Sequence, residues 1–172
     1  MQSIVFEKSP LSLQEYSAIN WKIVWKTRWQ RFIFILLVPA IIFVSALRNP
    51  APRLPIYLQL LPAIIMPVAL AIWIYLPFRK QFKLNYQNFP AFAEGATHTL
   101  TESDVYLVST STLSKQPWAP FYKKALLIDQ WIVLYASATT GYFLDLRKLV
   151  APATLADVEA LFQSKGITLK KQ

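Results

Sequence analysis

At 172 residues the chain has room for one modest domain plus extras, which excludes a long multi-domain protein. Hydrophobic residues make up 55% and the mean hydropathy is +0.34, too apolar for an ordinary solvated domain, while the formal charge is +9. There is no cysteine, which removes disulfides, thiolate metal sites and thiol nucleophiles, and the three glycines (Gly95, Gly141, Gly166) argue against Gly-rich phosphate loops.

The charge is unevenly spread. Residues 1–83 hold ten Lys/Arg against Glu7 and Glu15, a net of +8, and residues 84–172 hold eight against seven acids, a net of +1. A nucleic-acid-binding face would need the cations on the C-terminal part, so no nucleic-acid partner is expected. Cations flanking apolar runs are what the positive-inside rule expects of a membrane protein.

Residues 1–31 read as an amphipathic juxtamembrane helix. Ser12 and Glu15 fit a capping box. Trp21, Trp25 and Trp29 recur every four residues and share a helical stripe, interleaved with Lys22, Lys26, Arg28 and Arg31. Tryptophan favours the bilayer interface and cations favour anionic headgroups, so Trp21, Trp25, Trp29, Arg28 and Arg31 are candidate membrane-interface residues. Phe32 to Leu47 is an uncharged run, short for a bilayer core of about 30 Å. The segment Arg48 to Pro55 is a Pro-rich turn, Ile56 to Phe78 is a second uncharged run, and Arg79, Lys80 and Lys83 close it as further interface candidates. The two runs predict a transmembrane hairpin over 32–78 in a lipid bilayer. The flanking charges place both termini in the cytosol of a bacterial inner membrane. Val44-Ser45-Ala46 resembles a signal-peptide cleavage site, but the long, acid-containing segment before it argues against cleavage. Pro39, Pro62 and Pro67 interrupt the runs, yet neither run contains an ionisable residue to mark an ion route, so anchorage is the expectation.

Residues 79–172 read as a cytosolic α+β domain. Strands are expected at Thr97 to Leu100, Val105 to Leu113, Tyr122 to Ile128, Trp131 to Ala136 and Tyr142 to Leu146. Lys115-Gln116-Pro117 is expected to break the chain, Asp129-Gln130 to make a tight hairpin, and Thr139-Thr140-Gly141 to turn. Thr154 and Asp157 fit a second capping box, Leu155, Val158, Leu161 and Phe162 form an apolar helical face, and Gly166 ends the helix. This predicts an antiparallel meander of about five strands closed by one helix.

That succession, with Leu13-Gln14-Glu15-Tyr16, Leu113-Ser114-Lys115-Gln116-Pro117-Trp118, Trp131-Ile132-Val133-Leu134-Tyr135 and Tyr142-Phe143-Leu144-Asp145-Leu146-Arg147-Lys148, resembles the YcxB-like family of small bacterial membrane proteins. The chain departs from the family where Ala119-Pro120 follows Trp118 and where the last strand reads Leu144-Asp145-Leu146-Arg147. The resemblance implies a PH-like curved antiparallel sheet capped by a C-terminal helix, and it carries no functional residue across.

Few constellations in the chain could carry chemistry. His98 is the sole histidine and reads as a solvent-facing strand-edge residue, since nothing fixes it with Glu102, Asp104, Ser103 or Ser109 in a catalytic geometry. Asp145 and the Glu102/Asp104 pair show no metal-ligand spacing. Lys123-Lys124 and Arg147-Lys148 read as solvated strand ends, and Trp118, Phe121, Tyr122, Trp131, Tyr135 and Tyr142 as core or sheet-face aromatics. No catalytic residue, cofactor or metal is therefore expected. The reading is a non-enzymatic integral membrane protein presenting a PH-like binding or regulatory domain to an unidentified protein partner, with a homo-oligomer left open. Its rivals are an immunity protein against a membrane-targeting toxin and a small oligomeric transporter or channel.

Overall fold

The computed structural model describes residues 3–48, 55–137 and 141–171; within the two long helices the side chains of a number of residues, Arg28 and Arg31 among them, lie outside that description. The chain divides into two compact units, Met1–Ile19 with Asn85–Gln172, and Asn20–Leu84.

The first unit begins with a strand, where a helix was expected. In β1 (Ile4–Ser9) Ile4 and Phe6 are buried and Glu7 is exposed, the alternation of a half-buried strand. The helix starts only at α1 (Leu13–Arg48). Its capping box forms as read: the Ser12 backbone N–H and Oγ donate to Glu15 Oε2 at 3.0 and 2.7 Å, and the Glu15 N–H donates to Ser12 Oγ at 3.2 Å. These bonds hold the Glu15 carboxyl below the usual range. The second long helix, α2 (Ile56–Gln87), is followed by the single-turn α3 (Ala91–Glu94).

Three strands then extend β1 into a sheet: β2 (Ala96–Leu100), β3 (Asp104–Val108) and β4 (Leu113–Pro117), in the order β1-β2-β3-β4. All three pairings are antiparallel. The run expected as one strand over Val105 to Leu113 is two, because Ser109 and Thr112 turn it: the Ser109 N–H donates to the Thr112 carbonyl at 2.8 Å and the Thr112 N–H to Ser109 Oγ at 3.0 Å. Lys115-Gln116-Pro117 lies in β4 and does not break it. β4 is an edge strand, where a proline's missing N–H is tolerated.

The second sheet contains β5 (Lys124–Ile128), β6 (Trp131–Tyr135), β7 (Gly141–Asp145) and β8 (Thr168–Lys171), in the order β7-β6-β5-β8. β5 and β6 meet through Asp129-Gln130 as read, with Asp129 at φ 52°, a conformation that aspartate tolerates. Thr139 and Thr140 of the expected next turn lie outside the described residues. A 3₁₀ turn (Leu146–Lys148) leads to α4 (Leu155–Ser164), whose Thr154/Asp157 capping box also forms as read. Gly166, at φ +69°, sits just past the helix end. β8 pairs parallel with β5. Phe162 and Val158 of α4 are fully buried with Phe6, Leu100, Ile132, Leu134 and Leu144, one core shared by both sheets. The expected single five-stranded curved sheet is thus corrected to two four-stranded sheets and one helix, with β1 and β8 supplied by the chain ends.

In the Asn20–Leu84 unit, Trp21 stacks on Tyr75 (centroids 5.4 Å apart, planes at 7°) and meets Phe78 and the edge-on Phe82 at 5.6 Å each. Val24 and Phe82 are buried. Among the described residues no helix is long and apolar enough to cross a membrane. That overturns the membrane hairpin over 32–78 and, with it, the multi-pass inner-membrane placement with cytosolic termini. The uncharged runs are stretches of longer helices that also hold Lys22, Lys26, Arg79, Lys80 and Lys83, and the runs themselves contain Pro39, Ser45, Gln59, Pro62 and Pro67. Asn49 to Leu54 of the expected turn lie outside the described residues.

Candidate functional site

A cleft of about 420 Å³ opens in the sheet-bearing unit where four segments converge. Ser3, Ile4 and Val5 come from the start of β1, Leu100 to Glu102 from the end of β2, Val150 to Ala153 from the approach to α4, and Asp157 and Leu161 from α4 itself. Each segment is fixed by local bonds. Thr101 closes the β2–β3 hairpin: its N–H and Oγ1 both donate to the Asp104 carbonyl (3.0 and 2.9 Å), and its Oγ1 accepts from the Asp104 N–H at 3.0 Å. Glu102 is thereby left at the hairpin tip. The Thr101 carbonyl accepts from the buried Trp118 indole at 2.8 Å, anchoring the hairpin end to the core. The Val150 N–H donates to the Val5 carbonyl at 2.9 Å, fastening the approach segment to β1.

The floor is apolar, with Leu100, Leu161 and Ile4 buried beneath it. The rim carries two carboxylates, Glu102 and Asp157, and hydrogen bonding and nearby positive charge already hold the Glu102 carboxyl below its usual range. Asp157 is engaged in the helix cap, its Oδ2 accepting from the Thr154 N–H and Oγ1 at 2.7 Å each, and these bonds hold its carboxyl below the usual range. A cleft of this make-up accepts hydrogen-bond donors or a cation at its rim and an apolar stem at its floor.

The candidate residues of the sequence lie elsewhere. His98 is buried, correcting its reading as a solvent-facing edge residue: β2 is an interior strand, and His98 pairs with Phe6 on one side and Leu107 on the other. Burial pushes its imidazole down to about 4, against the opposing effect of a hydrogen bond with the Ala96 backbone. It lines a cavity of about 10 Å³ with Ser9, Phe92, Trp131 and Tyr142, room for roughly one water. Ser103 Oγ donates to Asp104 Oδ2 at 2.6 Å and Lys115 reaches the same oxygen at 3.4 Å, so this acid serves the hairpin. Among the described residues, no group of three or more His, Cys, Asp or Glu is placed to hold a metal ion.

Asp145 is the other feature not anticipated. It is 2% exposed and clamped by Arg147, with Nε at 2.9 Å from Oδ1 and Nη2 at 2.7 Å from Oδ2. The Arg147 N–H and Ser9 Oγ also donate to it, at 3.0 and 3.4 Å. Burial alone would raise this carboxyl's pKa, but the Arg147 bonds and charge bring it net below its ordinary value. Arg147, read as a solvated strand end, is therefore half of a structural ion pair and also lies over the Trp131 ring at 5.9 Å. Lys123 and Lys124 are exposed, with Lys124 over Tyr135 at 5.5 Å. Trp118, Tyr122, Trp131 and Tyr142 are buried as core aromatics, while Phe121 is exposed.

Of the candidate interface residues, Trp21 is held in the aromatic stack, while Trp25, Trp29, Arg79, Lys80 and Lys83 are exposed. The side chains of Arg28 and Arg31 lie outside the described ones. The Ile4-x-Phe6 alternation is the one sequence signal of the cleft wall, since a helix over residues 1–31 would not form it. No protein-family model, no curated protein and no solved structure matches the chain, so the likeness to the YcxB-like family rests on the quoted residues alone.

Proposed function

We propose that the chain is a non-catalytic binding module, and that the cleft beside β1 and α4 receives a short protein segment in which a basic residue is flanked by apolar ones. The observation that carries this reading is the cleft's make-up: an apolar floor with two carboxylates at the rim. The Thr101 hydroxyl in the cleft is engaged in its hairpin, and the one imidazole of the chain lines a different, small cavity. Both facts favour recognition over proton transfer.

The test is a titration of the ¹⁵N-labelled full chain with an acetylated leucyl-lysyl-leucine amide, with its norleucine-for-lysine analogue as control. Amide shifts are expected at Thr101, Glu102, Ala151 and Ala153, and Glu102→Gln is expected to weaken binding about fivefold, the effect of one exposed ion pair at its upper range. Shifts absent from the cleft at millimolar peptide, or equal affinity for the two peptides, would sink the reading.

A further inference from the structure

The nine Lys and Arg between Asn20 and Leu84 stand among no acidic residue, so that unit carries +9, while the rest of the chain, with nine cations and nine acids, is neutral. A unit charged with one sign selects an anionic partner. The face on which the cations stand narrows the kind. The start of α1 packs on the end of α2 through Trp21 with Tyr75, Phe78 and Phe82, and Val24 is buried beside Trp21 on the packed side. Since α1 ends at Arg48 and α2 begins at Ile56, the two helices run antiparallel. At about 100° per residue, Trp25 and Trp29 lie about 70° and 110° round α1 from its packed face, and Arg79 and Lys83 lie equally far round α2 from its own. In antiparallel helices the same sense of rotation leads to the same side of the pair. Two exposed indoles on one helix therefore share a face with two exposed cations on the other. Exposed Lys22, about 130° round α1, adjoins them. Exposed Ile72 and Leu76 continue the face along α2, whereas Lys26 and Lys80, about 170° round, lie on the backs of their helices.

We propose that this face docks on an anionic lipid surface, with Lys22, Arg79 and Lys83 against headgroup phosphates and Trp25 and Trp29 at the level of the headgroups. Indole rings favour that level, and each cation near such a surface contributes about 1 kcal/mol. No span is involved. The helices act from the surface, as monotopic helices do, in keeping with the finding that among the described residues no helix is long and apolar enough to cross a membrane. Ile72 and Leu76 decide between lipid and nucleic acid. Aliphatic side chains beside the cations gain from the acyl boundary below the headgroups and gain nothing from a phosphate backbone.

The test is co-sedimentation of the full-length chain with vesicles of equimolar phosphatidylcholine and phosphatidylglycerol, and with vesicles of phosphatidylcholine alone. Binding to the anionic vesicles is expected to be tighter by at least about a hundredfold, the combined effect of three cations near the surface, and to fade as salt is raised to about 1 M. Paired variants locate the face. Arg79→Gln with Lys83→Gln is expected to weaken binding to the anionic vesicles about thirtyfold. Lys26→Gln with Lys80→Gln removes the same charge from the backs of the helices and is expected to weaken it no more than about threefold at about 0.1 M salt, where the screening length is about 10 Å. Equal losses in the two double variants would overturn the face and leave only net charge. Equal binding to the two kinds of vesicle, or tighter binding to a DNA duplex than to the anionic vesicles at the same salt, would overturn the lipid surface as partner.

Discussion

His98 offers a sharp test of the fold because one imidazole is buried in the interior of a sheet. Its pKa is pushed down to about 4 in the folded chain by burial, while an unfolded imidazole titrates near 6.5. A histidine depressed on folding stays neutral while the unfolded chain takes up a proton. Its contribution to stability is therefore complete above about pH 6.5 and is lost as pH falls toward 4. Between pH 7.5 and 5.5 the loss works out at about 1.4 kcal/mol, rising to about 3 kcal/mol at pH 4. The upper half of the window isolates the histidine, because carboxylates with unfolded pKa values near 4 titrate below it. The readout is urea denaturation at pH 7.5, 6.5 and 5.5, with His98→Leu as reference. The single imidazole also gives one histidine ring signal by NMR, whose titration should centre near 4. A signal titrating above pH 6, or a His98→Leu variant that keeps the slope from pH 7.5 to 5.5, would refute the placement of His98.

Two glycines with positive φ should differ in what they tolerate. A Cβ on Gly95 (φ +74°) would lie 2.6 Å from the Pro10 nitrogen and 2.9 Å from the Ser9 carbonyl carbon, so Gly95→Ala is expected to cost about 3 kcal/mol. Gly166 (φ +69°) has nothing within 4 Å, so Gly166→Ala should cost only about 1 kcal/mol, and matching urea midpoints for the two would contradict this. Asp145→Asn breaks the clamp on Arg147 and should cost about 2 kcal/mol, below the range for fully buried pairs because the Arg147 side chain is 56% exposed. Since the Asp145 carboxyl sits below its ordinary value, its share of stability is present above about pH 4 and is lost as pH falls through the lowered folded value. The wild-type chain should therefore lose more stability between pH 5 and 3 than Asp145→Asn, as read by the same denaturation series.

What was legible in the sequence was local. Both capping boxes, the Asp129-Gln130 hairpin and the strands holding Thr97, Trp131 and Tyr142 are specified by neighbours within a few residues, and each forms where its pattern stands. What was illegible depended on distant partners. Ile4 to Ser9 is a strand because β2 offers an edge to it, and His98 is buried because β1 and β3 lie on either side of its strand. Asp145 and Arg147 were visible as residues, but the pair acquires meaning from Ser9, which arrives from the other end of the chain. The apolar runs misled for another reason. Apolar spacing shows that a face will be covered, but it does not show by what.

The pairing of β1 with β2 also ties the cleft to the whole chain. Ser9 pairs with Ala96, so the intervening residues form one large excursion that includes the entire Asn20–Leu84 unit. Closing such a loop as random coil would cost about 4 kcal/mol beyond the length-independent term. Burial of Ile4 and Phe6 returns about 2–3 kcal/mol each, so β1 docked on its own would be held by little more than its ladder hydrogen bonds. Ser3, Ile4 and Val5 form one wall of the cleft, and Val5 is the anchor for the segment that forms another. The cleft therefore exists only while β1 is docked.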